Sequence, residues 1–200
     1  MAQYDKIKEL LLKYSYLGIK KTEHTEATLI GRSPRIHVYD HPWINTIFTP
    51  VGMKEIDEIE EGIGRMIPAV FVNFLTKFSN GVRIFGGTLT LYGYRYNYIR
   101  EIDWILGQPF DIIPLNTYER PKNATPDMFF IGSYIYDGSK IYLTPDGIVH
   151  YCQRYDATSL LTWPSLPEML ISEIERIYSL YDEQGVQIDD TVPTTPLNLE

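Results

Sequence analysis

The sequence predicts an α+β protein in which a largely antiparallel, twisted sheet packs against helices within a single domain. Helical periodicity dominates the first part of the chain, two-residue alternation with turn signals follows Gly81, and one more helix lies near the end. Helices grouped before strands favour α+β over an alternating α/β fold. A length of 200 residues with 44% hydrophobic residues is sufficient to bury one core.

Two helices are predicted in the N-terminal third. Over residues 4–17, apolar residues recur every three or four positions, and Gly18 can end the helix in a left-handed turn. Residues 19–50 are less regular and hold one candidate strand, 35–39, in which apolar and polar residues alternate. The second helix, 53–61, has an apolar side and an otherwise strongly acidic surface.

Two further helices are predicted, one on each side of the strand-rich region. The helix over 68–79 begins with Pro68 at its first position, where the missing N–H has no helical partner anyway. Gly81 supplies the positive φ that ends it. The last helix covers 165–181, and Gly185 is expected to cap it.

The strands are predicted from two-residue alternation between turn residues. Gly86-Gly87 separates the first pair, Asp137-Gly138 is a strong hairpin signal, and a Pro-Asp-Gly turn at 145–147 precedes a third strand of a meander. Such a meander implies antiparallel pairing. The predicted strands are 82–85, 88–92, 128–136, 140–143 and 148–152, with 102–106 as a short helix or strand and 114–127 as a polar loop.

Composition restricts the classes of partner. The chain has 26 acidic and 18 basic side chains, a net charge of −8. An acidic protein suits a basic protein partner better than nucleic acid, which is bound through Lys and Arg, so no direct nucleic-acid contact is expected. A single cysteine excludes an intrachain disulfide. Because no signal-peptide core and no membrane-length apolar stretch occur, we expect a cytoplasmic protein without membrane contact.

Few residues carry catalytic or metal-binding chemistry. His37 and His41 are four apart, but Pro42 follows, so the helical spacing of a metal site is not expected. His150 and Cys152 would share one face of a strand. The two readings are a Cys–His nucleophile pair and ordinary packing; the sequence offers no evident third group that would orient a catalytic pair. No glycine-rich phosphate loop is present. We therefore assign no catalytic residue, no metal site and no cofactor.

An ordered series of short motifs runs from residue 56 to residue 93, IDEIEEGIGRMIPAVFVNFLTKFSNGVRIFGGTLTLYG. FFIGSYIYDGSKIYLTPDGIVHYC and WPSLPEMLISEIERI follow later. Over residues 49–186 this series resembles the SUKH superfamily of Smi/Knr-like proteins. Val82 stands where the family usually has Gly or a small acidic residue, a departure that concerns the turn. The matching positions are Glu60, Ile67, Pro68, Phe71, Phe74, Leu75, Asn80, Gly81, Phe85, Gly86, Leu91 and Gly93.

The resemblance implies a SUKH-like domain over 49–188. Residues 1–48 would be an N-terminal helix and irregular extension of the same domain, and 189–200 a disordered tail. The family binds proteins without shared catalytic residues, and its bacterial members are commonly immunity proteins that neutralise polymorphic toxins. The expected partner is therefore a cognate toxin, and a basic nuclease is one class that would suit. Two alternatives stay open: a regulatory or scaffold protein, as in the fungal relatives, and an unrecognised hydrolase.

One stretch combines alternating tyrosines with nearby acids and a tryptophan. Tyr and Trp are the residues that most often anchor protein interfaces. The alternative is that the tyrosines form the side of a sheet that packs on a helix, because alternation alone does not say which face meets water. The acids could fill a basic nuclease cleft as phosphate mimics, or bind beside it. The predicted partner-binding residues are Tyr94, Tyr96, Tyr98, Glu101, Asp103 and Trp104.

Overall fold

A computed structural model of the protein describes residues 2–33 and 43–197. Within these ranges, nine strands form one sheet in chain order, and each strand pairs antiparallel with the next. The predicted α+β class with an antiparallel sheet against helices is confirmed. The strands are β1 (Ile19–Lys21), β2 (Thr28–Arg32), β3 (Trp43–Ile47), β4 (Val82–Ile84), β5 (Leu89–Leu91), β6 (Phe129–Tyr134), β7 (Lys140–Leu143), β8 (Val149–Cys152) and β9 (Leu161–Trp163).

Six α-helices lie in the described ranges, and two short 3₁₀ segments, Leu12–Leu17 and Phe85–Gly87, join other elements. In the same part of the chain, no helix combines the length and the apolar character needed to cross a membrane. The helices are α1 (Ala2–Leu11), α2 (Met53–Ile63), α3 (Ala69–Lys77), α4 (Ile102–Gly107), α5 (Ile112–Asn116) and α6 (Leu166–Ser179).

The two faces of the sheet have different surroundings. In β7, Ile141 and Leu143 belong to the main core, in which buried residues of α1, α2, α3 and α6 meet one face of the sheet. Tyr142 lies between them in the sequence and therefore on the other face. There it joins a small cluster with Leu115 and Phe130. Only part of this second face carries an apolar cluster, and the remainder holds polar and charged side chains.

Asn45 of β3 ties the sheet to helices α1 and α6. Its Nδ2 donates to the carbonyl oxygen of Leu11 (2.9 Å) and to the hydroxyl oxygen of Tyr178 (2.6 Å), and its Oδ1 accepts from the backbone N–H of Phe85 (3.2 Å). The Tyr178 hydroxyl donates in turn to the Leu10 carbonyl (3.1 Å). Because Asn45 is fully buried, these bonds fix how α1 and α6 lie on the sheet.

The N-terminal 48 residues contribute more regular structure than predicted. Residues 19–50, expected to be irregular, contain β1, β2 and β3, and β3 pairs with β4 in a continuous sheet. The predicted strand 35–39 lies outside the described residues. The described part of residues 1–48, through β1, β2 and β3, therefore forms one edge of the same sheet that the later strands complete.

Several element boundaries also differ from the predictions. Pro68 precedes α3 as its N-cap, with an extended ψ of 132°, instead of occupying the first helical position. The α6 helix ends at Ser179 with Leu180 as its C-cap, and Gly185, expected to be its cap, lies in a separate turn where its N–H donates to the Asp182 carbonyl (3.1 Å). The helix α5 forms at the start of the predicted loop 114–127, because Asp111 accepts from the backbone N–H of Ile113 and caps it.

The expectation of a disordered tail does not hold for residues 189–197. The guanidinium of Arg176 donates to the carbonyl oxygens of Thr194 (2.8 Å) and Thr195 (3.3 Å), and both threonines are buried. Arg176 also pairs with the buried carboxylate of Glu173 (2.6 Å). The tail is held by backbone carbonyl groups, which a composition-based prediction of disorder does not detect.

Candidate functional site

The tyrosine-rich segment 94–101 is a loop rather than a strand. Its beginning is fixed by the buried side chain of Asn80, whose Oδ1 accepts from the Tyr94 N–H (2.7 Å) and whose Nδ2 donates to the Tyr94 carbonyl (2.8 Å). A Cβ on Gly93 would lie 2.3 Å from the Asn80 Oδ1, so only glycine permits this approach. The loop therefore leaves the sheet in one defined direction.

Tyr94 joins this loop to helix α2. Its hydroxyl donates to a carboxylate oxygen of Glu58, which raises the Tyr94 pKa to about 12 and lowers the pKa of Glu58. The ring of Tyr96 lies 5.1 Å from the Tyr94 ring in an edge-to-face arrangement, and Tyr96 is 45% exposed. The exposed ring of Tyr96 is thereby supported by Tyr94 and held near α2.

Helix α2 presents the acidic side of this site. It buries Ile56 and Ile59 in the core and leaves its carboxylates on the outer surface. Lys54, the one basic residue of α2, pairs with Glu58 (3.4 Å) and is itself exposed. We name the combined region the acidic tyrosine surface; it consists of Glu55, Asp57, Glu58, Glu61, Tyr94 and Tyr96.

Tyr98 does not share the surroundings of the other two tyrosines. Its hydroxyl donates to Asp111 Oδ2 (2.5 Å), which raises the Tyr98 pKa to about 12. The guanidinium of Arg95 lies 4.9 Å from the centre of the Tyr98 ring. The three tyrosines predicted to form one row thus divide into a pair beside α2 and a single ring beside Arg95.

The remaining predicted partner-binding residues lie at α4, and two of them make contacts within the protein, with the β1–β2 turn. Asp103 accepts hydrogen bonds from the backbone N–H groups of Glu23 (3.1 Å) and His24 (3.2 Å). The His24 Nδ1 is 3.3 Å from the same carboxylate, and the Trp104 ring packs against the imidazole at 4.8 Å. Only Glu101, the exposed N-cap residue of α4, is free of such contacts. Asp103 and Trp104 therefore position the β1–β2 turn against α4.

A groove of about 760 Å³ lies on the second face of the sheet, beside the loop. Its floor follows the strand register, since Thr46 pairs with Arg83 and Arg83 pairs with Thr90. We name it the arginine groove, because three guanidinium groups line it and none of the described lining residues is acidic. Its lining residues are Trp43, Thr46, Arg83, Gly86, Gly87, Thr90, Arg95, Tyr98, Ile99, Arg100, Ile102, Ile105, Leu106, Phe110 and Ile135.

Arg83 is the most enclosed cation of the groove. It donates to the carbonyl oxygens of Ile105 (3.3 Å) and Gln108 (3.1 Å), and its guanidinium lies over the rings of Phe48 (5.3 Å) and Phe110 (5.2 Å). Burial lowers the Arg83 pKa to about 10, and the nearby charge of Arg95 acts in the same direction. The guanidinium is thus fixed in place by neutral partners.

The Cys–His pair has little of the chemistry a nucleophile needs. Cys152 is fully buried, and burial raises its thiol pKa to about 12. The two ring nitrogens of His150 contact hydroxyl groups, those of Ser159 (2.8 Å) and Thr144 (3.1 Å), and burial lowers its pKa. His37 and His41 lie outside the described residues. In the described ranges, no three His, Cys, Asp or Glu side chains are grouped so as to hold a metal ion.

Sequence reasoning missed the three groove arginines and the anchor Asn80. One signal was present, since Val82 and Ile84 face the core and the residue between them, Arg83, must therefore face away. The register that places Arg83 between two threonines depends on strands distant in the sequence. No protein-family model matches the chain, and no curated protein matches it.

Proposed function

We propose that the protein is a non-enzymatic binding domain that recognises a basic protein through the acidic tyrosine surface. More specifically, we propose an immunity protein that acts in the cytoplasm and neutralises a cognate toxin. The sequence resemblance supports the class of activity, and the surface chemistry supports the class of partner. A lone reduced thiol, Cys152, is ordinary in that compartment.

The hydrogen bond between Tyr94 and Glu58 carries the proposal. It connects the loop to the acidic helix, so that the ring of Tyr96, which packs on Tyr94, lies on the side of the helix that carries Glu55 and Glu58. A rigid, partly exposed tyrosine is a typical interface anchor. Carboxylates around it favour a partner of opposite charge and speed its association. Together these features fit a basic protein surface.

Two modes of neutralisation are compatible with this surface. The exposed carboxylates of Asp57 and Glu61 are four residues apart and therefore lie on one side of α2. In the cleft of a basic nuclease, they would occupy the positions of substrate phosphates. Alternatively, the surface would bind beside the toxin's active site and block access to it. In both modes the charge of α2 is required.

The test combines capture with protection. The protein serves as bait in an extract of its source cells, and each captured toxin is co-expressed with it to measure survival. In the variant Asp57→Lys/Glu61→Lys/Tyr96→Ala, we expect binding to weaken by at least ~2 kcal/mol, about thirtyfold, and protection to be lost. The control, Glu9→Lys/Asp190→Lys, reverses two exposed carboxylates elsewhere and should protect like the wild type.

A surface variant that binds and protects as well as the wild type would refute the assignment of this surface. Capture of housekeeping proteins alone, with no toxicity to suppress, would refute the immunity role and favour the regulatory or scaffold alternative. Thermal unfolding of each variant confirms that a loss of protection does not reflect a loss of folding.

A further inference from the structure

The arginine groove concentrates positive charge in a chain whose net charge is −8. Arg83, Arg95 and Arg100 line it. None of the three forms an ion pair with a carboxylate of residues 2–33 or 43–197. Guanidinium groups that line one groove without an ion-pair partner among the described residues offer a site for an anion, since charge-assisted hydrogen bonds to carboxylate or phosphate are strong.

The guanidinium of Arg83 is held in place before any ligand arrives. Its partners are the carbonyl oxygens of Ile105 and Gln108, which fix its orientation but carry no net charge. The rings of Phe48 and Phe110 also lie against it, and the group is largely removed from water. An enclosed cation without an anionic partner is costly, and an anion bound nearby would relieve that cost.

The second cation, Arg95, is also oriented by neutral groups. Its Nε donates to the carbonyl oxygen of Asn97 (2.9 Å), and its guanidinium rests over the ring of Tyr98. Arg100 is exposed and forms no ion pair in the described part of the chain. The groove thus offers one enclosed guanidinium, one stacked guanidinium, and one that has no ion-pair partner among residues 2–33 and 43–197.

The walls of the groove are apolar. Trp43 of β3 contributes one apolar side chain, and Ile99, Ile102 and Ile105 come from the loop and from α4. Ile99 and Ile102 are 45% and 56% exposed, although large aliphatic side chains usually lie inside. A volume of about 760 Å³, with mainly apolar walls and a few convergent polar groups, is typical of small-molecule sites.

We propose that the arginine groove binds a small organic anion, whose carboxylate or phosphate contacts the guanidinium groups and whose aromatic or aliphatic body packs on the apolar walls. This site is separate from the acidic tyrosine surface and does not depend on the proposed protein partner. Small-molecule binding is favoured over binding of a polypeptide because the charged groups converge within one concave site.

The test separates the charged head from the apolar body. Calorimetric titrations of the wild-type protein use 1-naphthyl phosphate, 1-naphthoate, neutral 1-naphthol and inorganic phosphate as probes. We expect one or both naphthyl anions to bind, and 1-naphthol and inorganic phosphate to bind at least about tenfold more weakly. Comparison of the two naphthyl anions identifies the preferred head group.

Arg100→Gln and Arg95→Gln should each weaken binding of the preferred anion about five- to tenfold. Arg154→Gln removes an exposed arginine that does not line the groove and should bind like the wild type. Unfolding midpoints show that the variants are folded. Equal affinity for 1-naphthol, unchanged affinity in both groove variants, or no binding of either naphthyl anion up to about 10 mM would overturn the proposal.

Discussion

Replacement of Arg176 by methionine tests the buried network that holds α6 and the C-terminal segment. The Glu173 carboxylate, with its side chain 2% exposed, accepts from Arg176 Nη2 (2.6 Å) and from the hydroxyl of Tyr134 (2.6 Å). Arg176 also donates to the carbonyl oxygens of Thr194 and Thr195. Burial opposes the charged form of Arg176, but the hydrogen bond to Glu173 and the charge of Glu173 outweigh burial and raise the Arg176 pKa.

The Arg176→Met variant leaves Glu173 buried without its cation. Removal of one partner from a buried pair typically costs about 3–5 kcal/mol, because the remaining charge has lost its compensation. For a chain of this length, 1 kcal/mol corresponds to about 2–4 °C in the unfolding midpoint. We therefore expect the midpoint to fall by about 6–20 °C. Glu173→Gln/Arg176→Met removes both charges and should be more stable than Arg176→Met alone.

Thermal and urea unfolding measure these differences, and the ion pair of Lys6 with Glu175 provides the matched control. That pair also includes a residue of α6, but each of its side chains is 54% exposed. Exposed pairs contribute at most about 1 kcal/mol, so Lys6→Met should change the midpoint little. The reasoning is refuted if Arg176→Met is as mild as Lys6→Met, or if the double variant is no more stable than Arg176→Met.

Three further outcomes are expected. Burial raises the Cys152 pKa above that of an unfolded thiol, so the contribution of the protonated thiol to folding stability is complete below pH 8 and declines as the pH rises toward 12. Urea unfolding should therefore show that the wild type loses about 1 kcal/mol of stability by pH 9.5 and that Cys152→Ala does not. Gly81→Ala should destabilise the protein by about 2–5 kcal/mol in urea unfolding, since φ is +85° and the new Cβ would lie 2.5 Å from a carbonyl oxygen of β5. The control Gly147→Ala has the same φ but open space around the new Cβ, so it should cost only about 1–2 kcal/mol. Asn80→Ala should cost about 2–4 kcal/mol and speed hydrogen exchange at the Tyr94 amide; unchanged exchange would contradict the anchoring role.

The parts of the fold that could be predicted from sequence are those encoded by neighbouring residues. The helix α3 follows from its apolar period and from Gly81, and the β6–β7 hairpin from Asp137-Gly138. The strands β1–β3 have no such local signal: β1 is exposed throughout, and three successive residues are buried in the middle of β2. Their structure depends on pairing with each other and with β4, which a local pattern does not report.

The candidate site was predictable only in part, for a similar reason. The alternation at 94–98 predicted that the three tyrosines share one face, but the hydroxyl of Tyr94 bonds to Glu58 of α2 and that of Tyr98 to Asp111, so these two side chains have different surroundings. From the sequence, Asp103 is a reasonable partner-binding residue, because it is an acid beside aromatic residues. In the structure, its carboxylate instead accepts hydrogen bonds from backbone N–H groups about 80 positions earlier in the chain. Contacts at that sequence distance decide whether an acid serves the fold or a partner.

The loop 94–101 connects both proposed surfaces, and its anchors make them separable. Asn80 fixes the backbone at Tyr94, and the buried side chain of Gln108 donates to the Asn97 carbonyl (2.9 Å), so two points of the loop are held by buried amides. Tyr96 and Arg100 extend from this fixed backbone and contribute to different surfaces. A change at either side chain should therefore alter one surface without moving the other, whereas loss of Asn80 should disturb both. That difference distinguishes a failure of either binding proposal from a failure of the loop that supports them.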